Sequence, residues 1–336
     1  MRHLAARLVT FTRALPLACG VMAGVAGGVL APLATHAQSW PSQPIKMIIP
    51  STPGGGTDSI GRLLSTKLSE MNGWTVVPTN RPGAGTALGL AEGAKANPAG
   101  YDLVIGQTDN VSLIPLLLKV AYDPQKDLTP VALAATTPMV LVVPESSKFR
   151  TLNDAIAAAK AKPDTITYGT SGTGGSAHFS MELLQAAAGF KMRHVPYKGS
   201  SPALADLVGG HVDLVASSIS SASALVTGGK IRALAVTSAK RNAALPDVPT
   251  VAELGYKDFV FSTYYGVFGP AGLPAPIVAR LNADINKILQ GADVRTSLHA
   301  QGLEPEPMSP DDFAKLIRAD IQKSKEIIAS AGIKVE

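Results

Sequence analysis

Two segments rich in glycine and hydroxyl side chains each connect a β-branched run to a helical pattern. They cover residues 50–58 and 169–178. Unpaired N–H groups in the first turn of a helix, aided by the helix dipole, bind anions without a basic side chain. Glycines let a ligand approach the backbone closely, and serine and threonine hydroxyls rotate to donate hydrogen bonds. The two segments therefore predict a binding site for an organic anion such as a carboxylate.

A single loop of this kind is often a plain connection, but two loops in different lobes could each hold one end of a dianion. The candidate ligand contacts are Ser51, Thr52, Gly55, Gly56, Thr57, Asp58, Ser171, Gly172, Thr173, Gly174, Gly175, Ser176, His178, Ser217 and Ser218. Asp58 in the first helical turn also stabilises the helix dipole, which is the simpler role for a carboxylate there. His178 is a candidate either for facing the ligand or for ordering its loop. Lys198 is a candidate counter-charge, although lysine is usually solvated.

These loops lie within an alternation of short strands and helical patterns. Strands are predicted at residues 45–49, 74–77, 101–105, 139–143, 165–168, 212–216 and 231–236, and several are continuous apolar runs. Such runs are typical of parallel strands covered by helices on both faces. Thr151 and Asp154 begin one helix, and Ser309 begins another with Phe313, Ile317 and Ile321 facing inward. The fold class is therefore α/β, with doubly wound sheets.

Two extended runs suggest how the chain divides into two lobes. One is residues 139–143, between Pro138 and Pro144, and the other is the aromatic run at residues 259–268. Two strands that cross between lobes would explain both runs. The predicted organisation is a signal peptide at residues 1–37, a discontinuous first lobe at 38–138 with 262–336, and a second lobe at 139–261.

The N-terminal residues are typical of a secretory signal peptide. Three arginines precede an apolar run, and Thr35 and Ala37 place small residues before a cleavage site. A membrane anchor is the alternative, but Pro16 and Pro32 and the cleavage site disfavour it. The only cysteine, Cys19, lies in this segment, so no disulfide or cysteine-ligated metal is expected in the mature chain.

Charge and motif spacing disfavour several other classes of function. Loss of the signal removes three arginines and no acidic residue, so the formal net charge falls from +5 to +2. This small excess, without basic clusters, does not indicate nucleic-acid binding. Phosphate-loop, dinucleotide and nucleophile-elbow spacings are absent from the loops, and the pair of His178 and Glu182 is a weak metal motif. We therefore predict no catalytic residues, no metal and no cofactor. A periplasmic α/β hydrolase-type enzyme is the rival class.

The chain also resembles the extracytoplasmic solute receptors of the tripartite tricarboxylate transporters, often called Bug receptors. The matching motifs lie at residues 50–58, 80–85, 98–103, 122–124, 172–178, 194–199, 233–237, 245–250 and 269–272. The resemblance implies a type II periplasmic binding protein fold with two lobes joined by two crossing strands. It implies a monomeric, periplasmic receptor, not an enzyme, that carries a small di- or tricarboxylate to membrane permease subunits. A sensor protein is the alternative partner.

Three positions depart from the usual family pattern. Ser51 stands where an aromatic residue often follows the proline, Ser217-Ser218 where an Asp-Asn pair is frequent, and Tyr264 where tryptophan is common. The two serines would leave a roomier and less acidic wall. We hypothesise a bulkier dianion, such as an aromatic dicarboxylate stacked near Tyr264 or Phe268.

Overall fold

The protein is described by a computed structural model that covers residues 40–331, so the predicted signal peptide and Cys19 lie outside the described residues. The strands are β1 (Ile45–Ile49), β2 (Val76–Asn80), β3 (Asp102–Gln107), β4 (Leu128–Pro144), β5 (Thr167–Thr170), β6 (Arg193–Pro196), β7 (Leu214–Ser218), β8 (Ile231–Val236), β9 (Ser262–Pro270) and β10 (Glu304–Pro305). The α-helices are α1 (Gly56–Asn72), α2 (Ala87–Ala94), α3 (Ile114–Leu117), α4 (Leu152–Ala161), α5 (Ser176–Ala188), α6 (Ser200–Val208), α7 (Ile219–Thr227), α8 (Ala275–Gln290), α9 (Ala292–Ala300) and α10 (Pro310–Ala331). A π-turn, Asp109–Leu113, follows β3.

The strands form two similar halves of one curled sheet, in the order β2-β1-β3-β9-β4-β7-β5-β6. In the first half, β1 runs parallel to β2 and β3; in the second half, β5 runs parallel to β6 and β7. The prediction of parallel strands alternating with helices is confirmed for five of these six strands, and β6 was not among the predicted strands. The sequence did not predict that β9 would pair antiparallel with β3, or β4 with β7. Strands β9 and β4 run antiparallel to these neighbours because the chain enters each of them from the other half of the sheet.

Strand β4 joins the two halves of the sheet. Its residues 128–138 pair with β9, whereas residues 139–144 pair with β7 and β8. The chain crosses a second time just before β9, where the Phe261 N–H donates to the Thr237 carbonyl oxygen at 2.8 Å. The limits of the two lobes remain a prediction.

Helix burial follows the predicted apolar faces. Helix α1 buries Ile60, Leu64 and Leu68 against strand β1, and each such side chain contributes about 1.5–3 kcal/mol relative to exposure. Helix α4 begins with the predicted capping box between Thr151 and Asp154. Among residues 40–331, no helix combines the length and apolar character that crossing a bilayer requires.

Candidate functional site

The carboxyl ends of β1, β3, β5 and β7 meet around one cavity of about 150 Å³. Open α/β sheets bind their ligands at this edge. The cavity is lined by Gly55, Gly56, Thr57, Gln107, Asp109, Met139, Ser171, Ser176, Ala177, Ser200, Ser218, Ser221, Thr263 and Tyr265. Both predicted glycine loops therefore border the same cavity, one from each half of the sheet.

In the first loop, Gly55 is the N-cap of α1, and the third helical residue, Asp58, orders the turn. The Asp58 carboxylate accepts the Gly54 N–H at 3.0 Å, forms an ion pair with Arg62 at 3.0 Å, and accepts a hydrogen bond from Asn80 at 2.8 Å. Burial raises the pKa of Asp58, but the hydrogen bonds from Asn80 and Arg62 outweigh it and hold the pKa below its ordinary value. Asp58 is thus an ionised loop-ordering group rather than a lining residue.

The second loop repeats this arrangement with a different side chain. Gly175 is the N-cap of α5, and the third helical residue, His178, accepts the Gly174 N–H at its Nδ1 atom, 3.1 Å away. The Gly54 and Gly174 φ angles, +93° and +78°, suit glycine in both turns. The imidazole of His178 stacks on that of His194 at 4.1 Å, and burial lowers the pKa of His178. Of the two predicted roles for His178, the structure places it in loop ordering.

The predicted contacts divide into residues that line the cavity and residues that lie outside its lining. The lining members are Gly55, Gly56, Thr57, Ser171, Ser176 and Ser218. The remaining members are Ser51, Thr52, Asp58, Gly172, Thr173, Gly174, Gly175, His178 and Ser217, which are not part of the lining. The hydroxyl oxygens of Ser51 and Ser217 are buried without a hydrogen-bond partner among the described residues. Ligand contact by any of these residues remains a prediction.

The end of β3 is the part of the site that the sequence analysis missed. The Thr57 hydroxyl donates to the Gln107 side-chain oxygen, and Gln107 in turn hydrogen-bonds the Asp109 carboxylate. Asp109 also accepts the backbone N–H of Ser176 at 2.9 Å. The sequence did carry a signal for this part of the site, because polar residues directly follow the buried apolar run that forms β3.

The aromatic wall is also placed differently from the hypothesis. Tyr264 and Phe268 pack on Phe313 in the core, and the Tyr264 hydroxyl bonds to Ser112 at 2.9 Å. Neither lines the cavity, so the proposed stacking position near them is wrong. Tyr265 lines it instead, because successive side chains on a strand point to opposite faces.

The electrostatics of the cavity are set by hydroxyls, backbone groups and one carboxylate. Asp109 is the only charged residue in the lining, and Lys198 is exposed and lies outside it. Among residues 40–331, no cluster of three or more His, Cys, Asp or Glu side chains is arranged to hold a metal ion. The groups that the lining offers to an anion are therefore helix N-termini and hydroxyls rather than a basic side chain.

Two sheet halves joined by crossing strands, with a polar cavity between them, define a type II periplasmic binding protein. The family described as "Tripartite tricarboxylate transporter family receptor" matches residues 60–333, and the chain belongs to this family. Protein BugT of Bordetella pertussis is 36% identical over 317 residues, which span 92% of this chain and 95% of BugT.

Two solved structures with ligands are similar to this chain. R. palustris Rpa4515 with adipate has a TM-score of 0.83 and 34% identity, covering 88% of this chain and 99% of that protein. MatC from Rhodopseudomonas palustris with bound malate has a TM-score of 0.78 and 31% identity, covering 86% of this chain and 100% of MatC. The resemblance seen in the sequence motifs is confirmed.

Changing His178 tests its role in ordering the second loop. His178→Ala leaves the Gly174 N–H without its acceptor, which we expect to cost about 1–3 kcal/mol of unfolding free energy. His178→Asn retains an acceptor near the Nδ1 position and should cost less. Thermal unfolding of both variants at neutral pH measures the difference. Equal melting temperatures for the two variants would contradict the role.

The same variants test the pH dependence of stability. Burial lowers the pKa of His178, and burial together with the His178 charge lowers that of His194 to about 3. Since the unfolded histidines bind protons below about pH 6.5 and the folded ones bind them less readily, stability should fall between pH 7 and pH 5, by up to about 2 kcal/mol for His194. Burial raises the pKa of Asp109, which favours the folded state as the pH falls and so opposes the effect of the histidines. We therefore compare proteins that all retain Asp109. The melting temperature of His178→Asn should fall less on acidification than that of the wild type; an identical fall would refute the assignment.

Proposed function

We propose that this chain is a periplasmic receptor that captures a small organic carboxylate between its lobes and delivers it to the permease subunits of a tripartite transporter. The observation that supports this most directly is the glycine-capped N-terminus of α1, which borders a polar cavity with no carboxylate of its own loop in the lining and faces a second glycine-capped helix start, that of α5. The backbone N–H groups of such turns favour carboxylate oxygens. The relatives solved with adipate and malate support the same ligand class.

The size of the cavity indicates a compact ligand. A volume of about 150 Å³ equals that of an engineered protein cavity that binds benzene. The proposal includes cleavage of the signal peptide at residues 1–37 and a monomeric receptor, with a sensor protein as the alternative partner. The ligand expected from the sequence is a di- or tricarboxylate, a class that includes aromatic dicarboxylates. Closure of the two lobes about β4 and β9 would report the bound state to the membrane partner.

Calorimetry of the chain without residues 1–37, titrated with malate, adipate and terephthalate, tests the proposal. We expect one ligand per chain, recovered unchanged by chromatography after incubation. Lys198→Ala should leave the dissociation constant within about threefold, because the backbone and hydroxyls hold the anion. Failure of every organic acid to bind would refute a carboxylate receptor, and conversion of a ligand to a product would favour the hydrolase.

A further inference from the structure

Asp109 already occupies the position that the sequence analysis assigned to one end of a dianion. One of its carboxylate oxygens accepts both the backbone N–H and the hydroxyl of Ser176, the first residue of α5. Its second oxygen lies over Gly175, where an added β-carbon would be only 3.2 Å away. The anion site of α5 is therefore filled by a side chain from the other half of the sheet.

The surrounding hydrogen bonds favour the ionised form of this carboxylate. Burial raises the pKa of Asp109 above its ordinary value, and the hydrogen bonds from the Ser176 N–H, the Ser176 hydroxyl and the Gln107 side chain reduce that rise without reversing it. Groups that donate to a carboxylate stabilise its charged form. Because no lysine, arginine or histidine belongs to the lining, the charge is not neutralised within the cavity.

The two ends of the cavity thus differ in what they accept. At α1 the acidic residue of the loop is Asp58, whose carboxylate contacts Gly54, Arg62 and Asn80. Asp58 is not part of the lining, so Gly55 and Gly56 border the cavity without a competing anion. At α5, a ligand carboxylate would meet the Asp109 carboxylate directly. Like charges repel strongly where little water separates them.

Resting on the carboxylate-receptor part of the proposed function, and in place of the dicarboxylate expected from the sequence, we propose that Asp109 determines specificity. The ligand then has one carboxylate facing α1 and a hydrogen-bond donor, such as an amide or an ammonium group, facing Asp109. A donor at that end completes the hydrogen bonding of the second Asp109 oxygen. A plain dicarboxylate instead brings a second negative charge to the same place. The cavity therefore selects monocarboxylates with a donor over dianions of equal length.

Calorimetry at about pH 8, where the ligand carboxylates are ionised, tests this selection with matched pairs of ligands. Succinate is compared with succinamate and with 4-aminobutanoate, and adipate with adipamate and with 6-aminohexanoate. In at least one length series, we expect the amide or the amine to bind the wild-type protein about tenfold or more tightly than the dicarboxylate. This comparison needs no variant.

Asp109→Asn keeps an oxygen for the Ser176 N–H and removes the charge, so it should reduce the preference by about tenfold or reverse it. Asp247→Asn, an exposed change of the same charge outside the cavity, should leave the preference unchanged. If dicarboxylates bind the wild type as tightly as their amides and amines do, the inference about Asp109 is overturned while the carboxylate receptor stands. If no acid in either series or in the malate, adipate and terephthalate panel binds, the proposed function itself fails.

Discussion

Gly55→Val should weaken binding of the tightest ligand of the calorimetric panel by about a hundredfold or more, which corresponds to about 2.7 kcal/mol. Gly55 lines the cavity as the N-cap of α1, with φ −89° and ψ 172°, an extended conformation open to any residue. A β-carbon there meets no atom within 4 Å, so the valine side chain fits at the border of the cavity without displacing a neighbour. Its methyl groups would crowd the N–H groups that we propose hold the ligand carboxylate.

Folding should be little affected by this change, because nothing is displaced and only a glycine N-cap is lost. Glycine is a moderate N-cap and valine a poor one, a difference of about 1 kcal/mol. Gly291→Val is the control, since Gly291 also caps a helix, α9, with an extended backbone and lies outside the cavity. A β-carbon there would lie 3.2 Å from the Ile288 carbonyl oxygen, so the control should cost more stability than Gly55→Val. The control should lose stability and keep its affinity. Wild-type affinity in Gly55→Val would show that the ligand is not held at the start of α1.

Phe313→Ala should lower the melting temperature by roughly 6–15 °C, the largest stability effect that we expect. Phe313 is fully buried beneath β9. Its ring packs edge-on against the ring of Tyr264, with 5.9 Å between ring centres, and at a tilt against the ring of Phe268, with 5.2 Å between ring centres. An added β-carbon on Gly266 would lie 2.3 Å from the phenyl ring, so the ring fills the space above this glycine. Truncation of a buried phenylalanine typically costs 3–5 kcal/mol, partly through the cavity that remains.

Ligand binding should survive this change at temperatures well below the melting transition. Tyr264, Gly266 and Phe268 face α10, whereas Thr263 and Tyr265 of the same strand line the cavity on the other face. Phe313→Leu keeps most of the buried volume and should cost less than half as much. Thermal unfolding with and without ligand separates the two effects. A melting temperature of Phe313→Ala within 2 °C of wild type would contradict the packing role.

Much of the local structure could be predicted from the sequence, because its causes lie within a few residues. The apolar run of β8 has the same limits in the structure, and Ser309 bonds to Asp312 at the start of α10 as the capping pattern predicts. Both glycine turns lead into helices as predicted for the same reason, since a turn followed by a helix start is encoded locally. Strand β4 was predicted too short, because its first half alternates around Pro130 and Pro138 in a way that is not typical of a strand.

The sequence by itself determined the α/β class, the family and the two helix starts that border the cavity, since short-range periodicity, glycine turns and ordered motifs specify these. Only the tertiary structure decided which groups share the cavity. The Ser176 N–H donates to the Asp109 carboxylate, 67 positions earlier in the chain, and Tyr265 rather than Tyr264 lines the cavity. Such contacts depend on the order and register of strands far apart in the chain, and no local pattern records which side chain the fold will bring to a given helix end.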